Sequence, residues 1–161
     1  MADNWTVVAY AVGRRGQETP GIDPRYARFR LNVAASRIQG WGVFAGEAIP
    51  ARRKVIEYTG ERLTPEEAQE RLLRPQHYLF VINDNLIVDG AVNGSGAQYI
   101  NHSCDPNLCI QVAKGHILLM SLRAIEPGEE LSYDYRFRPS ALRNVCSCGA
   151  PNCRGSINPG L

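Results

Sequence analysis

The sequence predicts a mostly β domain with little helix. Three observations carry this expectation. Short apolar runs, several alternating at period two, recur along the chain; Gly, Pro, Asn and Asp clusters separate them; and only one segment carries the start signals of a helix. With 161 residues and 44% hydrophobic content the chain has the size of one compact domain with room for a core.

Taken in order, WTVVAYAV (5–12) reads as an N-terminal strand or arm, and GRRGQETPGIDPR (13–25) as a flexible connection rich in Gly, Pro and charge. FRLNVA (29–34) alternates apolar and polar, and VIEY (55–58) is a short apolar strand whose Tyr58 is expected in the core. Glu57 and Glu61 are expected to be structural charges without a role of their own. Thr64 is placed to N-cap a helix, with Pro65 at its first position and Glu67 completing a capping box; Ala68 and Leu72 then share the inner face. YLFVI (78–82) and LIVD (86–89) flank Asn83, Asp84 and Asn85, a hairpin signal. HILLMSL (116–122) is a further strand, a Pro127-Gly128 turn follows, and LSYDY (131–135) is the last strand. No internal repeat or low-complexity tract interrupts this pattern.

The formal net charge is +2 and the basic residues are scattered, with short clusters such as ARRK (51–54), which gives only weak support to a nucleic-acid interface. No apolar stretch approaches the ~20 residues of a membrane span, and no basic segment precedes WTVVAYAV as in a signal peptide. A soluble protein without direct membrane or nucleic-acid binding is expected.

Five cysteines are an odd count, and three of them, Cys146, Cys148 and Cys153, crowd into CSCGAPNC (146–153). A secreted disulfide framework favours even numbers and spread positions, so a reducing compartment and a metal fit better. Cys146 and Cys148 are too close for an unstrained disulfide with each other. Zinc favours four thiolates in a tetrahedral cage, which leaves one ligand to find among Cys104, Cys109 and the histidines. Cys104 is chosen because it lies in the polar segment NHSCDPN (101–107), whereas Cys109, in the LCIQV run, is expected to face a core. Four unrelated buried cysteines are the plainer alternative.

GWGVFA (40–45), VIEYTGE (55–61), YLFVIND (78–84), YINHSCDPN (99–107), GEELSYDY (128–135) and CSCGAPNC (146–153) occur in one order. Together they resemble SET-domain protein lysine methyltransferases with a post-SET zinc loop, of the trithorax-type branch, over residues 29–155. The resemblance implies a SET fold of short sheets with a threaded pseudoknot, an exception to the usual unthreaded topology, and a C-terminal zinc-binding loop. It divides the chain into an N-terminal arm (1–28), a SET domain (29–138) and a post-SET zinc loop and tail (139–161).

The resemblance further implies S-adenosylmethionine as methyl donor, structural zinc on Cys104, Cys146, Cys148 and Cys153, and a protein lysine as acceptor, on a histone tail or another basic protein. By position, Gln39, Gly40, Trp41, Tyr78, Asn101, His102 and Ser147 would contact the cofactor. Tyr135 matches the family's catalytic tyrosine, Tyr78 reaches both cofactor and channel, and Tyr133 matches the position that adjusts how many methyl groups fit; a tyrosine there favours monomethylation. A binding module that holds a peptide in the same groove without catalysis is the alternative.

No cysteine-rich cluster precedes residue 29, so the N-terminal segment is expected to cover the surface that such a module would protect. No reader domain or nuclear-import run is evident. A free-standing SET domain rich in Ala, Arg and Gly points to a bacterial member, cytoplasmic or exported to a host; a trimmed eukaryotic domain, nuclear, is the other reading.

Overall fold

The computed structural model describes residues 20–137 and 144–158, together with the backbone of 6–10. The stretches 1–5, 11–19, 138–143 and 159–161 lie outside the described residues, and with them most of the expected connection at 13–25 and the ends of the N-terminal arm.

The chain folds into small sheets rather than one large one. Strands β1 (Thr6–Tyr10), β2 (Leu31–Ala35), β3 (Trp41–Ala45), β4 (Lys54–Tyr58) and β5 (Glu61–Leu63) precede the helix α1 (Pro65–Arg71). After it come β6 (His77–Asn83), β7 (Leu86–Asp89), a 3-10 turn at Ala97–Tyr99, β8 (Asn101–His102), β9 (Leu108–Ala113), β10 (His116–Ser121) and β11 (Ser132–Tyr133). One sheet has the order β1-β6-β7-β5, a second β4-β10-β9, and β2 pairs with β3 as an antiparallel ribbon.

Local chemistry explains the best-defined elements. The Thr64 hydroxyl accepts the Glu67 N–H at 3.3 Å while the Glu67 carboxylate accepts the Thr64 N–H at 2.8 Å, the reciprocal pair of a capping box. The β6–β7 hairpin turns at an Asx turn in which Asn83 Oδ1 accepts the Asn85 N–H at 2.9 Å.

Two packing expectations are corrected. Ala68 is buried, but Leu72 stands 47% exposed because the seven-residue helix ends at Arg71 and Leu72 is already its C-cap. Arg71 turns inward instead, drawn by Asp89 and Glu61. Cys109 is exposed rather than core-facing: Leu108 points into the core, and strand alternation sends its neighbour to the opposite face of β9. The expected strand at 131–135 shrinks to Ser132–Tyr133, because Asp134 and Tyr135 leave the ladder to make side-chain contacts.

The main core gathers Val43, Ile49, Val55, Ile56, Ile100, Leu108, Ile117, Leu119, Ile125 and Leu131, all at most 1% exposed. Each fully buried aliphatic contributes about 1.5–3 kcal/mol, so this cluster rather than the short helix holds the domain together. Tyr58 lies in it as expected, at 3% exposure.

The element that positions the site is the pairing of β8 with β11. It is parallel, with Asn101 opposite Ser132 and His102 opposite Tyr133, and it joins segments separated by the whole β9–β10 hairpin. Asn107 locks the arrangement: buried at 3% exposure, its Oδ1 accepts the Ser132 N–H and its Nδ2 donates to the Glu130 carbonyl, both at 2.9 Å. The segment before β11 also pairs with β3, where Leu131 N–H donates to the Val43 carbonyl at 2.7 Å. Among the described residues no helix is long and apolar enough to cross a membrane.

Candidate functional site

Three parts of the chain meet at β8. From the core side come five tyrosines. The rings of Tyr133 and Tyr135 lie 4.8 Å apart, and the Tyr135 hydroxyl donates to the Ile100 carbonyl at 2.7 Å. Tyr78, on β6, packs edge-on against Tyr99 at 5.5 Å, and the Tyr58 hydroxyl donates to the Tyr78 carbonyl at 2.7 Å. Burial, reinforced by Tyr99 and Asp89, pushes the Tyr78 phenol up to about 12. Burial likewise drives Tyr133 and Tyr135 upward. All three therefore remain protonated near neutral pH and are not bases, and the Tyr135 hydroxyl acts as a hydrogen-bond donor.

From the surface side comes the loop before β3. Asn101 Nδ2 donates to the carbonyls of Gln39 (3.2 Å) and Trp41 (2.9 Å) and to Glu130 Oε1 (2.9 Å). Glu130 Oε1 also accepts the Ser36 hydroxyl at 2.6 Å, and a Cβ at Gly42 would collide with that carboxylate. Gly40 has φ 49°, the left-handed region that favours glycine. Gln39 and Gly40 are exposed and Trp41 half-buried, so the clamp presents their backbone at the surface.

His102 joins the two sides. Its Nδ1 accepts the Tyr135 backbone N–H at 3.2 Å, and its Nε2 lies 3.5 Å from Cys104 Sγ. Burial lowers its pKa to about 4, outweighing the nearby Asp134, so the ring is neutral. A neutral ring accepting at Nδ1 carries its proton on Nε2, facing the sulfur.

The third part is the cysteine cluster. The Sγ atoms of Cys104, Cys146, Cys148 and Cys153 all lie within 4.8 Å of one another, and no disulfide joins them. Cys104 Sγ is 3.7 Å from Cys146 Sγ and 3.9 Å from Cys153 Sγ. A tetrahedron with Zn–S bonds near ~2.3 Å has edges of about 3.8 Å, so four thiols at this spacing fit a zinc ion. Backbone N–H groups of Arg154 and Gly155 point at Cys104 Sγ (3.4 Å) and Cys153 Sγ (3.3 Å). Burial opposes ionisation of Cys148, but the Cys104 and Ala150 N–H groups and adjacent thiols draw its pKa down to about 6. Burial raises Cys104 and Cys146. A divalent cation would offset the repulsion among the remaining thiolates.

The cluster docks the C-terminal segment onto the site. Ser147, between two of the cysteines, donates its hydroxyl to the Ile38 carbonyl at 3.0 Å, next to Gln39. Arg154 forms a two-pronged pair with Asp134, both contacts at 2.9 Å. Burial pushes against ionisation of Asp134, yet that guanidinium holds its carboxyl below the ordinary value.

The structure thus brings every sequence-derived candidate to one region: Gln39, Gly40, Trp41, Asn101, His102 and Ser147 on one side, Tyr78, Tyr133 and Tyr135 on the other, and the four cysteines beside His102. Sequence reasoning missed Glu130, Asn107, Asp89, Asp134 and Arg154. These act through side-chain bonds between distant segments; the quoted runs contain Asp89, Asn107, Glu130 and Asp134 without showing their partners.

Comparison with known proteins decides what this arrangement is. The family model for the SET domain matches residues 40–136. The chain belongs to the SET domain family. Relatives of this SET domain include the "Histone-lysine N-methyltransferase TRX1" of rice, 42% identical over 142 residues, covering 81% of this chain and 14% of that protein. The "Histone-lysine N-methyltransferase, H3 lysine-4 specific" of Saccharomyces cerevisiae is 38% identical over 138 residues, covering 78% and 13%. The "Histone-lysine N-methyltransferase trithorax" of Drosophila virilis is 40% identical over 137 residues, covering 80% and 4%. The SET domain therefore spans a seventh or less of these three relatives. A solved structure of KRYPTONITE with mCHH DNA, an H3(1–15) peptide and SAH superposes with a TM-score of 0.70 at 31% identity, over 84% of this chain and 31% of that one.

Proposed function

We propose that this SET domain transfers a methyl group from S-adenosylmethionine to the ε-amine of a protein lysine, on a histone or another basic protein, with monomethylation favoured. The observation that carries the reading is the pair of buried tyrosines Tyr133 and Tyr135, packed on each other and, through Tyr135, on His102 of β8, with Tyr78 buried on β6. The names of the relatives support a lysine acceptor, and the SAH and H3 peptide in the KRYPTONITE structure support the donor and a histone-like substrate. Those relatives are eukaryotic, which favours the nuclear branch of the expected location.

In this reading Gln39, Gly40 and Trp41 offer backbone and side-chain contacts to the donor, and Asn101 and His102 hold its adenine and amino-acid portions. Ser147 closes the site from the zinc loop. Bound S-adenosylmethionine supplies an electrophilic methyl on a sulfonium. The chain's task is then alignment. A free lysine, with pKa near ~10.4, is mostly protonated at neutral pH and cannot attack. Apolar walls around Tyr78 and Tyr133 disfavour the ammonium, so the amine enters the channel neutral and its proton leaves to solvent. Tyr135 and neighbouring carbonyls orient the amine for in-line attack, and positioning contributes most of the acceleration. No dedicated general base is required, in keeping with phenols that stay protonated. Zinc on Cys104, Cys146, Cys148 and Cys153 has a structural role, holding the Ser147 segment over the donor.

The test is methyl transfer from labelled S-adenosylmethionine to core histones and, separately, to a bacterial lysate, comparing the wild type with Tyr135→Phe. Label on lysine that the variant loses is the expected result. Cofactor binding without label in either pool would overturn the catalytic reading.

A further inference from the structure

Glu130 ties segments of the site together, yet its charge has no cationic partner among the described residues. Its Oε1 accepts the Asn101 Nδ2 at 2.9 Å and the Ser36 hydroxyl at 2.6 Å, both neutral donors. Its neighbours Glu129 and Asp134 are paired instead, with Arg123 at 2.8 Å and with Arg154 at 2.9 Å. The Glu130 side chain is half-buried, where a charge is screened less than at the open surface. Its contacts define where that charge acts. Asn101 links it to the carbonyls of Gln39 and Trp41, Ser36 Oγ also accepts the Ile38 N–H at 2.9 Å, and a Cβ at Gly42 would strike the carboxylate. After burial and Tyr78, the Glu130 charge is a further cause that raises the Tyr135 phenol. The carboxylate therefore reaches both the loop assigned to the donor and the tyrosine assigned to the reacting amine.

We propose that Glu130 is the countercharge for the donor's sulfonium and makes the site discriminate S-adenosylmethionine from its product, S-adenosylhomocysteine. The inference rests on the methyl-transfer reading and adds a specificity-determining residue to it. The two ligands share the adenosine and the amino-acid group and differ by the methyl and by one positive charge. Transfer breaks the sulfur–methyl bond, forms the nitrogen–methyl bond and moves the positive charge to the amine, leaving a neutral thioether. A fixed carboxylate thus favours the donor before transfer and loses that hold afterwards. Two unit charges ~10 Å apart at an effective dielectric near ~20 attract enough to change an affinity about tenfold. A carboxylate that only clamped Asn101 would act on both ligands alike, because both carry the portions that Asn101 and His102 are assigned to hold.

Calorimetric titration of the full chain with each ligand, without acceptor, reads the ratio of the two dissociation constants. Glu130→Gln keeps the shape and an acceptor oxygen for Asn101 and Ser36 while removing the charge. It should weaken S-adenosylmethionine about tenfold and S-adenosylhomocysteine less than about twofold. Ser36→Ala removes one clamping bond and keeps the charge, so its ratio should match the wild type. Should Glu130→Gln not fold, the unmutated protein decides: raising salt from about 0.1 to about 1 M, which shortens the screening length from ~10 to ~3 Å, should weaken the donor more than the product. Equal weakening of both ligands in the deciding measurement, or a ratio shifted as far by Ser36→Ala, would overturn the inference and leave the carboxylate a clamp alone. A shifted ratio in a protein that labels no lysine would uphold the countercharge while the catalytic reading fails. Binding of neither ligand by the wild type would overturn both.

Discussion

The Asp89 carboxylate accepts the backbone N–H of Tyr78 at 2.9 Å, tying the end of β7 to the start of β6. The same Oδ1 accepts the Ala91 N–H at 2.9 Å, and Oδ2 accepts Arg71 Nη1 at 3.1 Å; the residue is fully buried. Replacing Asp89 with Asn leaves Arg71 short of its buried counter-charge. Loss of one partner of a buried pair costs about 3–5 kcal/mol, so Asp89→Asn should lower the denaturant midpoint sharply. A variant within about 0.5 kcal/mol of wild type in equilibrium urea unfolding would show that Glu61 suffices for Arg71.

Tyr133 is 2% exposed and packs on Tyr135. If its hydroxyl restricts the room for added methyl groups, Tyr133→Phe should raise the share of di- and trimethylated product with little loss of stability. Mass spectrometry of a lysine peptide decides this, and an unchanged product distribution counts against the role.

The four thiols connect the C-terminal segment to His102 and, through Ser147, to Ile38. Chelation, or Cys148→Ala, should release zinc, abolish donor binding and methyl transfer, and leave the β core folded, because the core cluster contains none of the four cysteines. Zinc content, calorimetric titration with S-adenosylhomocysteine and far-ultraviolet circular dichroism together read this out. Retained donor binding after complete metal loss would refute the closing role of the loop.

His102 makes stability depend on pH in a defined direction. Its folded pKa, about 4, lies below its unfolded value near 6.5, chiefly through burial. The unfolded chain therefore binds the extra proton first as pH falls. Stability from this group is complete above about pH 6.5 and is lost progressively toward pH 4, by about 3 kcal/mol. Urea unfolding between pH 7.5 and 4 should show this loss, and His102→Gln should flatten it. A slope unchanged in that variant would assign the pH dependence to other groups.

Legibility followed the range of each interaction. The capping box at Thr64, the Asn83–Asn85 turn and the alternation of β2 depend on neighbours a few residues apart, and all formed as read. Leu72 and Cys109 were misjudged because each depended on something beyond its own run: where the helix stops, and which face of β9 meets the core. In the site, residue types within contiguous blocks were readable, whereas the bonds that orient them were not. Asn107 holding Ser132, Asn101 holding the loop before Trp41, and Arg154 holding Asp134 each cross from 20 to 60 positions of sequence.

The sequence by itself determined the class of fold, the three crowded thiols and the ordered blocks that identify the family, because these are properties of composition and local spacing. Only the tertiary structure decided that β8 pairs in parallel with β11, that Cys104 Sγ lies 3.7 Å from Cys146 Sγ, and that β1 takes the edge of β6 beside Tyr78. Each of these closes a long loop, and the free energy that selects one closure over another resides in the packed core and ladders of the whole chain rather than in any single stretch.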